Sequence, residues 1–165
     1  DTILLTRTKD NEDYSNILDE IKKYTSTSPI YKSKVVPQGL FSILNNESLL
    51  LDKMKDTKCI VVSGIGNPSS FENTLQSQHI KITKHLIYPD HYIYQDNDVK
   101  EIRQTLQESK EDTILTTEKD ALKIKPLLRP TDTQWFYLKI TCQMKSEDLF
   151  LSFIEKRIQS PDNMI

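Results

Sequence analysis

The chain has 165 residues, 36% hydrophobic and 8% aromatic, enough for one domain with its own core. Its 22 Lys and Arg against 24 Asp and Glu give a formal net charge of −2, so the basic excess of a general nucleic-acid binder is missing. No run of about 18 apolar residues and no signal-peptide pattern occurs, so no stretch of the sequence reads as a membrane span. The two cysteines, Cys59 and Cys142, lie far apart in apolar surroundings. They read as small buried side chains of a reducing compartment, and no metal-ligand spacing accompanies them. The chain starts at Asp1 without Met, directly on an apolar strand, and is expected to be a piece of something longer.

In chain order, Thr2–Thr6 is a short β-rich run, and Tyr14, Ile17, Leu18, Ile21 and Tyr24 then recur at helical spacing. Residues 30–36 alternate apolar and polar as a strand with one exposed face, and Pro37 and Gly39 are expected to break it. Leu40–Lys55 is ambiguous, with a turn at Asn45-Asn46. Cys59–Ser63 is a continuous apolar run, the mark of a strand covered on both faces. A helix over 70–78, a strand over 80–88 and a helix over 98–109 follow, the last with Val99, Ile102 and Leu106 on one face. The remainder reads as strand 113–116, a short helix 118–124, strand 135–140 and a helix 146–158. Strands alternating with helices predict a mostly parallel sheet flanked by helices, an α/β fold in one domain over residues 1–158. A polar, frayed tail is expected from 159 to 165.

The chain holds only three glycines, and two of them, Gly64 and Gly66, close the buried strand in "VVSGIGNPSSF". Asn67 or Ser69 can cap the next helix, Pro68 suits its first turn, and Ser69 with Glu72 has capping-box spacing. A dinucleotide fingerprint needs Gly or Ala where Ser69 stands, and an acidic residue about 20 positions on, which is missing. No P-loop string occurs in the sequence. Gly64, Gly66, Asn67 and Pro68 therefore read as a tight structural turn with backbone N–H groups at a helix start, able to meet an anion.

Two further strand ends carry chemistry-bearing residues. In "YPDHYIY" (88–94), Asp90 and His91 stand side by side among Tyr88, Tyr92 and Tyr94. The plain alternative is an Asp-capped turn with a surface histidine; the functional one is a histidine that helps move a proton. In "TTEKDA" (116–121), Thr117 is a plausible helix cap with Glu118 and Asp120 in the first turn, and Lys119 could meet a phosphate. Of the other histidines, His79 falls near a helix end and His85 sits mid-strand, which gives both poorer claims.

Gly64-Ile65-Gly66-Asn67-Pro68 with Phe71, then Asp90-His91, then Thr117-Glu118-Lys119-Asp120-Ala121, followed by the strand Trp135-Phe136-Tyr137-Leu138, resemble the C-terminal half of tetraacyldisaccharide 4'-kinases. Order and spacing match from about Lys58 to Ile140; Asp1–Thr6 matches more weakly, and residues 30–55 only in outline. The resemblance implies the C-terminal lobe of a P-loop-type kinase, with the Walker A lobe absent from this chain. The implied activity is transfer of the ATP γ-phosphate to the 4'-hydroxyl of a tetraacyldisaccharide 1-phosphate in lipid A biosynthesis. The implied cofactors are ATP and Mg²⁺, held mainly by the N-terminal kinase lobe, with no metal site here. The implied partners are the lipid A disaccharide precursor and that lobe, with no nucleic acid. The implied place is the cytoplasmic face of the bacterial inner membrane, reached through the missing half, while this portion is soluble and inactive alone. His91 is implied as the histidine of a catalytic Asp-His pair, with Asp90 beside it and Tyr92 where many members carry a second histidine. Thr117, Glu118, Lys119 and Asp120 are implied to face the interlobe cleft or nucleotide. The rival expectation is a non-catalytic α/β module that binds a nucleotide or partner. A receiver domain is the weaker form of it, because Thr6-Arg7-Thr8-Lys9 offers no acidic cluster.

Overall fold

The computed structural model describes residues 1–159, so the expected tail lies outside the described residues except for Gln159, which ends the last helix. Internal contacts group the chain into two compact units, one of Asp1–Val36 with the chain from Thr141 onward, the other of Pro37–Ile140. The first holds β1 (Ile3–Leu5), α1 (Ser15–Lys22), the start of β2 (Ile30–Ser42), the end of β7 (Trp135–Met144) and α5 (Glu147–Gln159). Here β1 pairs in parallel with β2, Ile3 opposite Ile30 and Leu5 opposite Lys32. The Tyr31 ring meets Phe150 edge-on at 5.1 Å. Neither α1 nor α5 contributes a fully buried side chain, so this unit has a thin core.

The second unit carries the site. Its sheet runs in the order β2-β7-β6-β4-β5, with β3 (Ser48–Leu49) antiparallel on β2. Strands β4 (Lys58–Ser63), β5 (Lys81–Ile87), β6 (Ile114–Thr117) and β7 pair in parallel, as alternation of strands with helices predicts. Cys59–Val62 is an unbroken apolar run because both faces of β4 are covered. Ile60 and Val62 join Val99, Ile102 and Leu106 of α3 (Asp96–Ser109) and Ile124 of α4 (Glu118–Ile124). Cys59 and Val61 point the other way, onto Phe71 and Leu75 of α2 (Pro68–Ser77). Burying each such side chain stabilises by about 1.5–3 kcal/mol, and this layering carries the fold.

Three expectations are corrected. Strand β2 continues through Pro37 and Gly39 to Ser42 instead of breaking. A missing N–H breaks a strand only where the ladder needs that donor, and the division between the two units falls at Val36/Pro37 instead. Cys142 is exposed although Cys59 is buried, because an apolar neighbourhood in sequence does not say which face of a strand is covered. Glu72 closes no capping box with Ser69; Asn67 alone caps α2, its Oδ1 accepting the Ser70 N–H at 3.0 Å, while Glu72 bonds a histidine.

Candidate functional site

The carboxyl ends of β4, β5 and β6 bring the Gly64–Gly66, Pro89–His91 and Thr117–Asp120 turns to one edge of the sheet, where parallel α/β sheets present their functional groups. The joint between the first and third is Asp120. Its side chain is fully buried, and Oδ2 accepts both the Gly64 N–H at 3.0 Å and the Thr117 hydroxyl at 2.7 Å. Thr117 Oγ1 in turn accepts the Asp120 N–H at 3.1 Å, the cap expected at the start of α4. Lys123 Nζ stands 3.7 Å from the remaining oxygen, Oδ1.

Neither Gly64 nor Gly66 has a positive φ, so the glycines are needed for space and not for a left-handed backbone. A Cβ on Gly64 would lie 3.2 Å from Asp120 Oδ1, the Pro89 carbonyl and the Tyr94 hydroxyl alike. One on Gly66 would lie 3.2 Å from Asp90 Oδ2. The turn therefore sits tightly against the loop that carries Asp90 and His91. Its Gly64 N–H is already used by Asp120, which leaves one donor fewer for an anion.

His91 occupies the left-handed region at φ 61°, a conformation that histidine tolerates better than most residues. The Asp90 carboxylate holds it there by accepting the His91 N–H at 3.0 Å. The imidazole itself is 77% exposed, with Nε2 3.9 Å from Asp90 Oδ2. On either side of it in sequence, Tyr88, Tyr92 and Tyr94 pack together with centroids 4.8–5.3 Å apart. Burial, helped by the Asp98 carboxylate, pushes the Tyr88 hydroxyl up to about 12. Burial and then Asp120 push Tyr94 up further, so both stay protonated and neutral near pH 7. The Tyr94 hydroxyl has no hydrogen-bond partner among the described residues.

Of the residues singled out in the sequence, Gly64 and Thr117 meet Asp120, and Gly66 lies against Asp90. His91, Glu118 and Lys119 project outward, exposed. Sequence reasoning named Tyr94 only as a neighbour of His91 and passed over His85, whose two ring nitrogens are both hydrogen-bonded, to Ser63 and to Glu72. The one available signal was Ser63 itself, a polar residue ending a fully buried apolar strand. Among the described residues no three His, Cys, Asp or Glu side chains gather as metal ligands, and no helix is long and apolar enough to cross a membrane.

Fold and candidate site together define an α/β protein whose strand-end turns gather at the carboxyl edge of a parallel sheet. A profile of the tetraacyldisaccharide-1-P 4'-kinase family matches residues 1–159, and the chain belongs to that family. It is 34% identical over 101 residues to the tetraacyldisaccharide 4'-kinase of Syntrophus aciditrophicus, covering 61% of this chain and 27% of that protein. With the Pelagibacter ubique protein of the same name it shares 32% identity over 132 residues, or 79% of this chain and 37% of the relative. The chain thus spans well under half the length of these curated relatives. Among solved structures, LpxK from Aquifex aeolicus in complex with ATP aligns with a TM-score of 0.57 at 22% identity. That match covers 93% of this chain and 51% of the other, and is a likeness of fold.

Proposed function

We propose that this chain is the C-terminal lobe of a tetraacyldisaccharide 4'-kinase, which transfers the γ-phosphate of ATP to the 4'-hydroxyl of a tetraacyldisaccharide 1-phosphate in lipid A biosynthesis. Family membership supports the reaction class, and the ATP complex of the fold neighbour supports the phosphate donor. The observation that carries the site is His91, an exposed imidazole held in a left-handed turn by Asp90 at the sheet's carboxyl edge.

The described residues do not themselves fit MgATP. They gather no cluster of metal ligands, and the Gly64 N–H is already bonded to Asp120. In the proposal ATP and Mg²⁺ are held chiefly by the N-terminal lobe, and this portion alone turns over no ATP. Bound Mg²⁺ would neutralise charge on the transferring phosphoryl group. What this chain supplies is proton handling and positioning. His91 would hydrogen-bond a carboxylate of the other lobe and tune it as the base for the sugar hydroxyl, with Asp90 fixing the backbone that aims the ring. Thr117 and Asp120 lock the edge, leaving Glu118 and Lys119 free to meet the other lobe or nucleotide. The protein would act at the cytoplasmic face of the inner membrane, attached through its other half.

The test is His91→Ala in the full-length protein with MgATP and the disaccharide lipid. A fall in kcat of about 10²–10⁴-fold is expected, with KM for ATP nearly unchanged, because a positioned acid–base group contributes on that scale. Near-normal kcat in a folded variant would overturn the role of His91, and transfer by the purified 165-residue chain would overturn the division of labour.

A further inference from the structure

Behind the Gly64–Gly66 turn lies a chain of three side chains that the transfer chemistry leaves unused. Ser63 Oγ is 2.8 Å from His85 Nε2, and His85 Nδ1 is 2.6 Å from Glu72 Oε1. Ser63 ends β4, His85 stands on β5 and Glu72 on α2, so the chain joins the three elements around the turn. Serine, histidine and carboxylate in this order form the hydrogen-bond chain of a nucleophilic hydrolase. Burial decides against that reading: Ser63 is 0% exposed, so no substrate carbonyl can reach its hydroxyl.

The burial of Ser63 and of the His85 ring suits the chain to a mechanical task, with Glu72 anchoring it from the partly exposed face of α2. A network whose buried members each have a partner is rigid, because breaking one bond strands a desolvated group. An ionised Glu72 carboxylate only accepts, so the short bond places a ring proton on His85 Nδ1, and Nε2 pairs with the Ser63 hydroxyl. Ser63 is then fixed at successive points. Its side chain is held by His85, its carbonyl accepts the Tyr88 N–H at 2.8 Å, and the next N–H along, that of Gly64, is held by Asp120. On the far side of the turn, Glu72 ties α2 to the same ring. The Phe71 ring meets the imidazole edge-on, its centroid 6.4 Å away.

We propose that His85 is a positioning residue: it links the entry of the Gly64–Gly66 turn, through Ser63, to the exit, through Glu72, and so sets where that turn meets Pro89 and Asp90 beside His91. The effect on catalysis rests on the proposed role of His91; the effect on the turn does not.

The test uses the full-length protein and the variants Ser63→Ala, Glu72→Gln, His85→Gln and His85→Ala, with His79→Asn as a control on an exposed histidine. The first readout is amide hydrogen exchange. Exchange at Gly64–Asn67 and at Asp90–Tyr92 should rise about tenfold or more in Ser63→Ala and His85→Gln, while α3 keeps its protection, as local opening allows. The second is the ¹⁵N signature of the His85 ring. Wild type should show the Nδ1-protonated form, and Glu72→Gln, whose amide can donate to Nδ1, should shift population to Nε2–H. The third is kinetic: kcat should fall about 10–100-fold with KM for ATP moving less than about twofold, the scale of a misplaced reacting group.

Should His85→Ala fail to fold, Ser63→Ala still decides, since it removes one hydroxyl and little volume. Unchanged exchange at both turns in folded Ser63→Ala and His85→Gln overturns the proposal, as does a uniform rise across α3 as well. Loss of the transfer reading shows up separately, as His91→Ala with full activity or wild type with none, and leaves the exchange and ¹⁵N results to decide the role of His85.

Discussion

His85 and His91 are six residues apart on one strand and the loop that follows it, yet the protein treats them in opposite ways. The His85 side chain is 6% exposed and bonded through both ring nitrogens. His91 is 77% exposed, and the closest acidic group to its ring is Asp90, 3.9 Å away. One imidazole is part of the scaffold and the other is free to meet whatever approaches. The aspartates divide in the same manner. Asp120 is buried and holds Gly64 and Thr117 in place; Asp90 is half exposed and shapes only the turn that aims His91. A site of this kind needs both sorts of residue, a rigid floor and an accessible tip held by it.

The comparison is broken most sharply by exchanging the roles. His91→Ala should cost activity by about 10²–10⁴-fold in the full-length protein while lowering the melting temperature only slightly, since an exposed loop ring packs against little and the loss is that of alanine in a left-handed turn. His85→Ala should reverse the pattern of stability. It strands the Ser63 hydroxyl, leaves Glu72 without its partner and opens a cavity, so unfolding by denaturant should show a loss of about 2–4 kcal/mol. Equal melting temperatures for the two variants would erase the distinction.

A second buried carboxylate sharpens it further. Arg103 Nε and Nη2 meet Asp132 at 2.9 and 2.6 Å. Burial alone would push the Asp132 carboxyl up, but the hydrogen bonds from Arg103 and the Arg129 N–H outweigh it and hold it below the usual carboxylate range. Because the folded state has the lower value, its contribution is complete above the ordinary carboxylate value near 4 and is lost as pH falls through the depressed one. Asp132→Asn should therefore cost about 1.5–3 kcal/mol at pH 7, and the gap from wild type should close in acid. A gap constant from pH 7 to pH 2 would contradict that assignment.

Within the turn itself the two glycines should differ. Valine at Gly64 meets a backbone carbonyl and the pinned Asp120, and should cost about 1–3 kcal/mol by overpacking. At Gly66 the side chain of exposed Asp90 can swing aside, so Gly66→Val should cost less, and chemical denaturation of the pair ranks them. A larger loss at Gly66 would mean that the Asp90 turn is the rigid partner.

Much of this was readable in advance. The run Cys59–Val62 announced a strand covered on both faces, Val99, Ile102 and Leu106 marked the buried face of α3, and Thr117 was placed as the cap it proves to be. Such features depend on residues within one turn or one strand, where periodicity and capping rules act. Pro37 was over-read for a related reason: the rule against proline in strands concerns a ladder donor, and only the pairing shows whether one is required.

The sequence alone determined the α/β layout of the second unit, the order of the three strand-end turns and the family they mark, because local propensity and motif order need no long-range information. Only the tertiary structure decided which polar residues are scaffold and which are tip. Glu72 could have capped its own helix, and at 13 residues' distance nothing local says that it bonds His85 instead. Asp120 reaches Gly64 across 56 residues of chain. Gly64 and Gly66 looked like conformational glycines, yet neither has a positive φ and it is the oxygens of Asp120, Pro89, Tyr94 and Asp90 that crowd a side chain. Burial and close approach are properties of surfaces brought together by the fold, and no spacing along the chain encodes them.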